Sequence, residues 1–337
     1  MLLAASTVVI IAGLRAASRI IVPFLLSVFV VIISLPLQNW LLSRRVPRSL
    51  AVVLTLAADV LVFVGFGLLV GGSVQGFSEK ADEYQKNLVA LVKSLDHWLN
   101  PLGLQISTEA VTDFLRKNVF SIFKNALLQG ASIVTNLLLV GFTILFLLFE
   151  AAGFSAKFEQ AMGHATENKG RIKKIKRDIQ QYLLVKTLVS LATGLVIGVS
   201  LALMGLDFPI LWGLLAFLLN YIPNLGSILA AVPPVLLGLI QVSPGRALGI
   251  ACVFVAANTL LGNLIEPHLM GRRLGMSTLV VFLSLVFWGW VWGPFGMILS
   301  VPLTMIVKIL LENTEDLRWI AVILGTGKDH IPAKNKG

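Results

Sequence analysis

The chain has 337 residues, 57% of them hydrophobic and only 13% charged, with a mean hydropathy of +0.89. A soluble domain is nearer half apolar and about a quarter charged, so a set of soluble domains is excluded and a polytopic α-helical membrane protein is expected. The net charge of +10 needs no nucleic-acid partner, because basic residues gather in the cytoplasmic loops of membrane proteins.

The first apolar stretch, residues 2–14, is short and has no basic residue before it, unlike a cleaved signal peptide. Arg15 and Arg19 follow, and residues 20–40 supply a full span. After a basic loop containing Arg44, Arg45 and Arg48, residues 51–70 form the third span, long enough for a hydrocarbon core of about 30 Å. Composition changes at Gly71. Residues 72–130 carry six basic and six acidic side chains, which marks an extramembrane insert. Phe77, Ala81, Tyr84, Leu88, Leu91, Leu95 and Trp98 alternate four and three apart, the stripe of an amphipathic helix. Asn100-Pro101-Leu102-Gly103 breaks it, and a second helix is expected from Ser107 or Thr108. The pair is expected to pack on itself or on the bundle, with subunit contact as the alternative.

Residues 133–149 form the fourth span. Beyond it Lys169, Arg171, Lys173, Lys174, Lys176 and Arg177 make the densest basic cluster, with Ile172, Ile175, Ile179 and Tyr182 at helical spacing. This pattern predicts an amphipathic helix on the cytoplasmic leaflet, facing anionic lipid. Residues 183–204 are the fifth span, in which Lys186 is expected to snorkel. Residues 208–222 and 225–242 are short apolar pieces separated by Pro223-Asn224 and fit either two crossings or one re-entrant hairpin. Residues 247–265 span again. Residues 277–292 and 295–311, joined at Gly293-Pro294, are a second pair of the same kind. The chain therefore divides into residues 1–71 (three spans), 72–130 (insert), 131–152 (one span), 153–181 (basic segment), 182–312 (C-terminal bundle) and 313–337 (tail). Eight spans are expected, or ten if both broken pairs cross. With the N-terminus inside, sixteen basic residues fall on the cytoplasmic side and three in the short outer loops. Both termini are then cytoplasmic.

No P-loop, H-E-x-x-H motif or G-x-S-x-G elbow occurs, so an enzyme, an internal ATPase, a metal site or a cofactor is not expected. The single cysteine, Cys252, forms no intrachain disulfide. Asp59 is the one carboxylate well inside a long span, a placement costing about 2.5–3.5 kcal/mol on insertion scales. It is either a proton or cation site or the partner of a buried polar group. Glu266 is a second candidate, with Arg272 and Arg273 as its expected partners. Around Asn220, Pro223, Asn224 and Gly226 the backbone must be irregular, and irregular backbone at membrane depth lines protein or a water-filled path. Asn258, Asn263, Glu266 and Pro267 form a second polar run. The two asparagines lie about 140° apart on an ideal α-helix and need not share a ligand. Amide and hydroxyl groups suit a small neutral polyol, although they also join helices. Trp288, Trp290 and Trp292 read as an interfacial aromatic belt, with a gate as the alternative.

Residues 214–234 (LLAFLLNYIPNLGSILAAVPP), 263–274 (NLIEPHLMGRRL) and 277–302 (STLVVFLSLVFWGWVWGPFGMILSVP), with Ile21-Val22-Pro23-Phe24 and Arg45-Val46-Pro47-Arg48, resemble the autoinducer-2 exporter family of bacterial membrane proteins. The resemblance runs to about Gly325. It implies a multi-pass inner-membrane protein that exports autoinducer-2, a small furanone-derived polyol, and so acts on quorum sensing and biofilm behaviour. It also implies homo-oligomers, pentamers among them, and links some relatives to Na⁺(Li⁺)/H⁺ exchange. Three functions stay open at this point: an exporter without its own ATPase, a cation/proton antiporter, and a membrane scaffold whose insert binds envelope partners.

Overall fold

The computed structural model describes residues 2–99, 140–150, 166–223, 225–270, 276–312 and 318–325. Among these, five helices are long and apolar enough to cross a membrane, and three shorter apolar helices accompany them. The architecture is all-α and polytopic. Helix α1 (Leu2–Ala16) has 15 residues, about 22 Å at 1.5 Å per residue.

The chain bends at Ala17 into α2 (Ser18–Ser43), whose buried residues are Ser27, Val31, Ser34 and Gln38. Their spacing of three and four puts them on one face, against α3 (Arg48–Glu79) and α5 (Val140–Glu150). The Arg48 guanidinium donates to the Phe149 carbonyl at 2.6 Å. Helix α3 runs 32 residues without a break at Gly71-Gly72, where composition placed the boundary of the insert. Glycine weakens a helix interior by roughly 0.5–1 kcal/mol but does not end it. The turn comes at Lys80, which leads into α4 (Ala81–Leu99). Tyr84, Leu88 and Val92 are buried on α4, and the helix packs against the bundle. The expected second insert helix lies outside the described residues.

Helix α6 (Thr166–Leu203) is continuous over 38 residues. The basic segment therefore prolongs the span instead of forming a separate helix, since no proline or paired glycine interrupts it. Gly205, at φ +70, stops α6, and the Leu206 N–H closes back on the Leu201 carbonyl at 3.1 Å.

Helices α7 (Pro209–Leu219) and α8 (Leu225–Gln241) resolve the first ambiguous pair as a hairpin. With 11 residues, about 16 Å, α7 is too short to cross. The Asp207 N–H donates to Gln241 Oε1 at 3.0 Å, which ties the start of α7 to the end of α8. Both arms thus root at the Leu203 end of α6, and the turn lies at depth. Close backbone contact fixes the hairpin on α6: a Cβ on Gly213 would stand 2.6 Å from the Gly194 carbonyl oxygen and 3.1 Å from the Gly198 Cα. Helix α9 (Pro244–Ala257) continues through a π-helix (Asn258–Ile265) into α10 (Glu266–Met270).

Helix α11 (Thr278–Glu312) is interrupted at Trp292 and Gly293, the latter at φ 65 and ψ −147. The Trp288 indole donates to Thr304 Oγ1 at 3.0 Å. Sixteen residues of straight helix would hold those residues about 24 Å apart, so the chain turns back on itself and α11, although long and apolar enough by composition, is not one straight crossing. Short α12 (Arg318–Leu324) packs on α11.

Candidate functional site

The tip of the α7–α8 hairpin meets α6 at Ser190, midway between Arg177 and Leu203, the ends of that candidate span. The Asn220 side-chain amide donates to Ser190 Oγ at 2.9 Å, and the Tyr221 hydroxyl donates to Thr187 Oγ1 at 2.8 Å. Thr187 in turn donates to the Leu183 carbonyl at 2.7 Å. Ser190 is fully buried and Asn220 nearly so. The Tyr221 ring is held edge-on by Phe29 of α2 and Phe217 of α7, at centroid distances of 5.4 and 5.7 Å.

Local chemistry makes this turn. Asn220 is the C-cap of α7, and Pro223 has no N–H to continue a helix. The Pro223 carbonyl instead accepts the Leu225 N–H at 2.6 Å. At Gly226 a Cβ would lie 1.8 Å from the Leu219 carbonyl oxygen, so no other residue fits there without moving backbone. Asn224 lies outside the described residues.

One turn toward the Arg177 end, the Lys186 ammonium bonds both oxygens of Glu266, at 2.8 and 2.9 Å. Their side chains are 6% and 15% exposed. This corrects two expectations. Lys186 does not snorkel out, and the partner of Glu266 is a lysine 80 positions earlier; Arg272 and Arg273 lie outside the described residues. Desolvation is the reason: a carboxylate at this depth is stabilised by the cation on the facing helix. Glu266 follows directly on the π-helix, whose i→i+5 bonding brings Asn258 and Asn263 closer to one line than an α-helix does. Even so, Asn258 is half-buried, whereas Asn263 and Pro267 are exposed. They do not converge with Asn220.

Asp59 stands apart from this cluster. Ser34 Oγ donates to its Oδ1 at 2.7 Å, while Oδ2 is buried and accepts no hydrogen bond among the described residues. Arg177 is exposed on α6. Lys169, Arg171, Lys173, Lys174 and Lys176 belong to the same helix, but their side chains fall outside the described set. Trp288 and Trp292 are buried and stacked at 4.9 Å, with the Trp292 indole donating to the Leu14 carbonyl at 3.1 Å. Only Trp290 is exposed, beneath the Arg15 guanidinium at 4.9 Å. The three tryptophans therefore form no common belt, because the hairpin in α11 turns two of them inward. No cluster of metal-ligating side chains occurs among the described residues.

Sequence reasoning located Asn220, Pro223 and Gly226 but missed Lys186, Thr187, Ser190 and Tyr221 as their company. A signal existed. Lys186, Ser190, Thr193, Gly194 and Ile197 are spaced by three, four or one along α6, so the polar and small residues share a face. That face receives the hairpin.

An all-helical bundle with a broken-helix tip held by amides and hydroxyls at mid-depth is the form of a membrane transporter. Residues 4–316 match the family described as AI-2E family transporter, and the chain belongs to that family. It is 39% identical over 318 residues to the AI-2 transport protein TqsA of Escherichia coli (strain K12), covering 94% of this chain and 92% of that protein. It is 36% identical over 325 residues to YhhT of the same strain, covering 96% and 93%. A Haemophilus influenzae protein is 36% identical over 332 residues, with 96% and 95% covered. The family is one of transporters, not enzymes.

Proposed function

We propose that the protein exports autoinducer-2, a small neutral polyol, across the bacterial inner membrane without an ATPase of its own. The observation that carries this reading is the hairpin tip, where Asn220 and Tyr221 bond to Ser190 and Thr187, about midway along the span Arg177–Leu203. These groups are neutral donors and acceptors that can exchange one another for substrate hydroxyls. A net hydrogen bond is worth only about 0.5–1.5 kcal/mol, so such an exchange stays within reach of thermal fluctuation. The 39% identity to a protein named for AI-2 transport supports the substrate. On this reading Lys186 and Glu266 form the floor beneath the tip, and flux contributes to quorum sensing and biofilm behaviour. The basic residues at the start of α6 serve contact with anionic lipid, both termini are cytoplasmic, and the protein works as a homo-oligomer, with pentamers among the forms the resemblance implies.

Autoinducer-2 flux in proteoliposomes of purified protein, with and without an imposed pH gradient, tests this. Flux in both conditions supports facilitated export, and flux with the gradient alone means proton coupling. No flux in either from folded protein sets the substrate aside.

A second reading, Na⁺(Li⁺)/H⁺ antiport, is favoured by the half-satisfied Asp59 carboxylate and by Glu266. It requires pH-dependent cation exchange that Asp59→Asn or Glu266→Gln removes. Exchange that persists in both variants eliminates them as proton carriers.

A further inference from the structure

The polar attachment of the α7–α8 hairpin root to the insert converges on Asp207. Lys80 Nζ and Tyr84 Oη both donate to Asp207 Oδ2, at 2.6 and 2.7 Å. The backbone of Asp207 is engaged as well: its N–H donates to Gln241 at the end of α8, and its carbonyl accepts the Trp212 indole N–H at 2.8 Å. Asp207 thus joins α4, α7 and α8. The two insert contacts differ in weight. Lys80 is 45% exposed, and an exposed ion pair contributes little. Tyr84 is 1% exposed, and a buried hydroxyl is costly to leave without a partner.

The next residue is strained. Phe208 has φ 59 and ψ 43, a left-handed conformation that disfavours a residue with a Cβ by roughly 1–2 kcal/mol. Its ring covers Gly76 so closely that a Cβ there would meet Phe208 Cε1 at 2.8 Å. Phe77 lies 6.5 Å from the Phe208 ring and 5.5 Å from the Tyr84 ring. Backbone held in such a conformation persists where its surroundings over-determine it, and it clusters at clamps and switch regions. Phe208 is also the N-cap of α7, and Asn220 is its C-cap. A single 11-residue helix with no internal proline therefore links the clamped root to the tip.

We propose that Asp207 is a positioning residue through which the insert sets where Asn220 and Tyr221 sit, so that the insert controls the hairpin instead of merely covering it. This rests on reading the tip as the transport site. Displacing α4 moves the Asp207 carboxylate, and the short rod of α7 carries that displacement to Asn220.

In the full chain, Asp207→Asn removes the carboxylate that Lys80 and Tyr84 grip. It is expected to cut autoinducer-2 flux by at least about tenfold; full flux in the folded variant overturns the proposal. Amide hydrogen exchange over residues 219–226 gives a second readout that needs no substrate. Asp207→Ala, and the milder Tyr84→Phe if the first misfolds, should speed exchange at the tip by about tenfold while α2 is unchanged. Unaltered tip exchange in a folded variant overturns the proposal. Absence of flux in the unaltered protein condemns the transport reading alone, because the exchange measurement still decides this one.

Discussion

Lys186 on α6 and Glu266 at the end of the π-helix form an ion pair in which one ammonium bonds both carboxylate oxygens, with the lysine only 5% exposed. Such pairs contribute little net stability compared with apolar residues of the same size, but removing one partner strands a buried charge. Lys186→Met should therefore destabilise the protein by about 3–5 kcal/mol. The double variant Lys186→Met/Glu266→Leu should recover most of that loss without recovering flux. Thermal unfolding in detergent, set beside flux in proteoliposomes, measures both. A double variant that transports normally would reduce the pair to a packing device.

At the tip, Asn220→Leu removes the donor to Ser190 and nothing else of comparable size. The lost hydrogen bond is worth about 1 kcal/mol of stability. Flux should fall by about tenfold, equivalent to ~1.4 kcal/mol on the barrier, while the protein remains folded. Unchanged flux in a well-expressed variant would remove Asn220 from the path.

Gly226→Ala places a Cβ 1.8 Å from the Leu219 carbonyl oxygen. The obstacle is backbone, so the turn must open and the variant should lose several kcal/mol or fail to accumulate. Gly65→Ala on α3 is the matched control, because a Cβ there meets nothing within 4 Å. It should be neutral or stabilising by about 0.5–1 kcal/mol. Equal melting temperatures for the two variants would show that the hairpin turn is not as tight as described.

Burial, followed by the hydrogen bond from its hydroxyl to Asp207 and the charges of Asp207 and Glu83, holds the Tyr84 phenol above the ordinary tyrosine range. The unfolded phenol ionises near pH 10. The stabilisation from Tyr84 is therefore complete below about pH 10 and is lost as pH rises through and beyond that value. Tyr84→Phe should lower stability at neutral pH by about 1 kcal/mol and make the alkaline decline shallower. Parallel melting curves for the two proteins across the alkaline range would contradict this.

What could be read in the sequence was local. Asn220, Pro223 and Gly226 announce a broken helix because proline and glycine act on their own backbone. The choice between hairpin and crossings was closed to sequence reasoning, since the apolar pieces at 208–222 and 225–242 fit both. It depends on α7 ending after 11 residues at Asn220, whose amide meets Ser190 midway along the facing span. Lys186 near a span end looked like a snorkelling residue because nothing nearby in sequence identifies Glu266. The boundary at Gly71 followed composition, whereas the helix followed its hydrogen bonds to Lys80. The relation of Asn258 to Asn263 assumed an α-helical period that the π-helix does not keep.

The seam between α6 and α7 also bears on movement. At Gly198 and Gly213 the two backbones touch with no side chain between them, while Phe217 Cβ of α7 sits in the hollow left by Gly194. On the transport reading the tip can therefore travel along α6 only as far as Phe217 can leave that hollow, which keeps its excursions to small steps of shear.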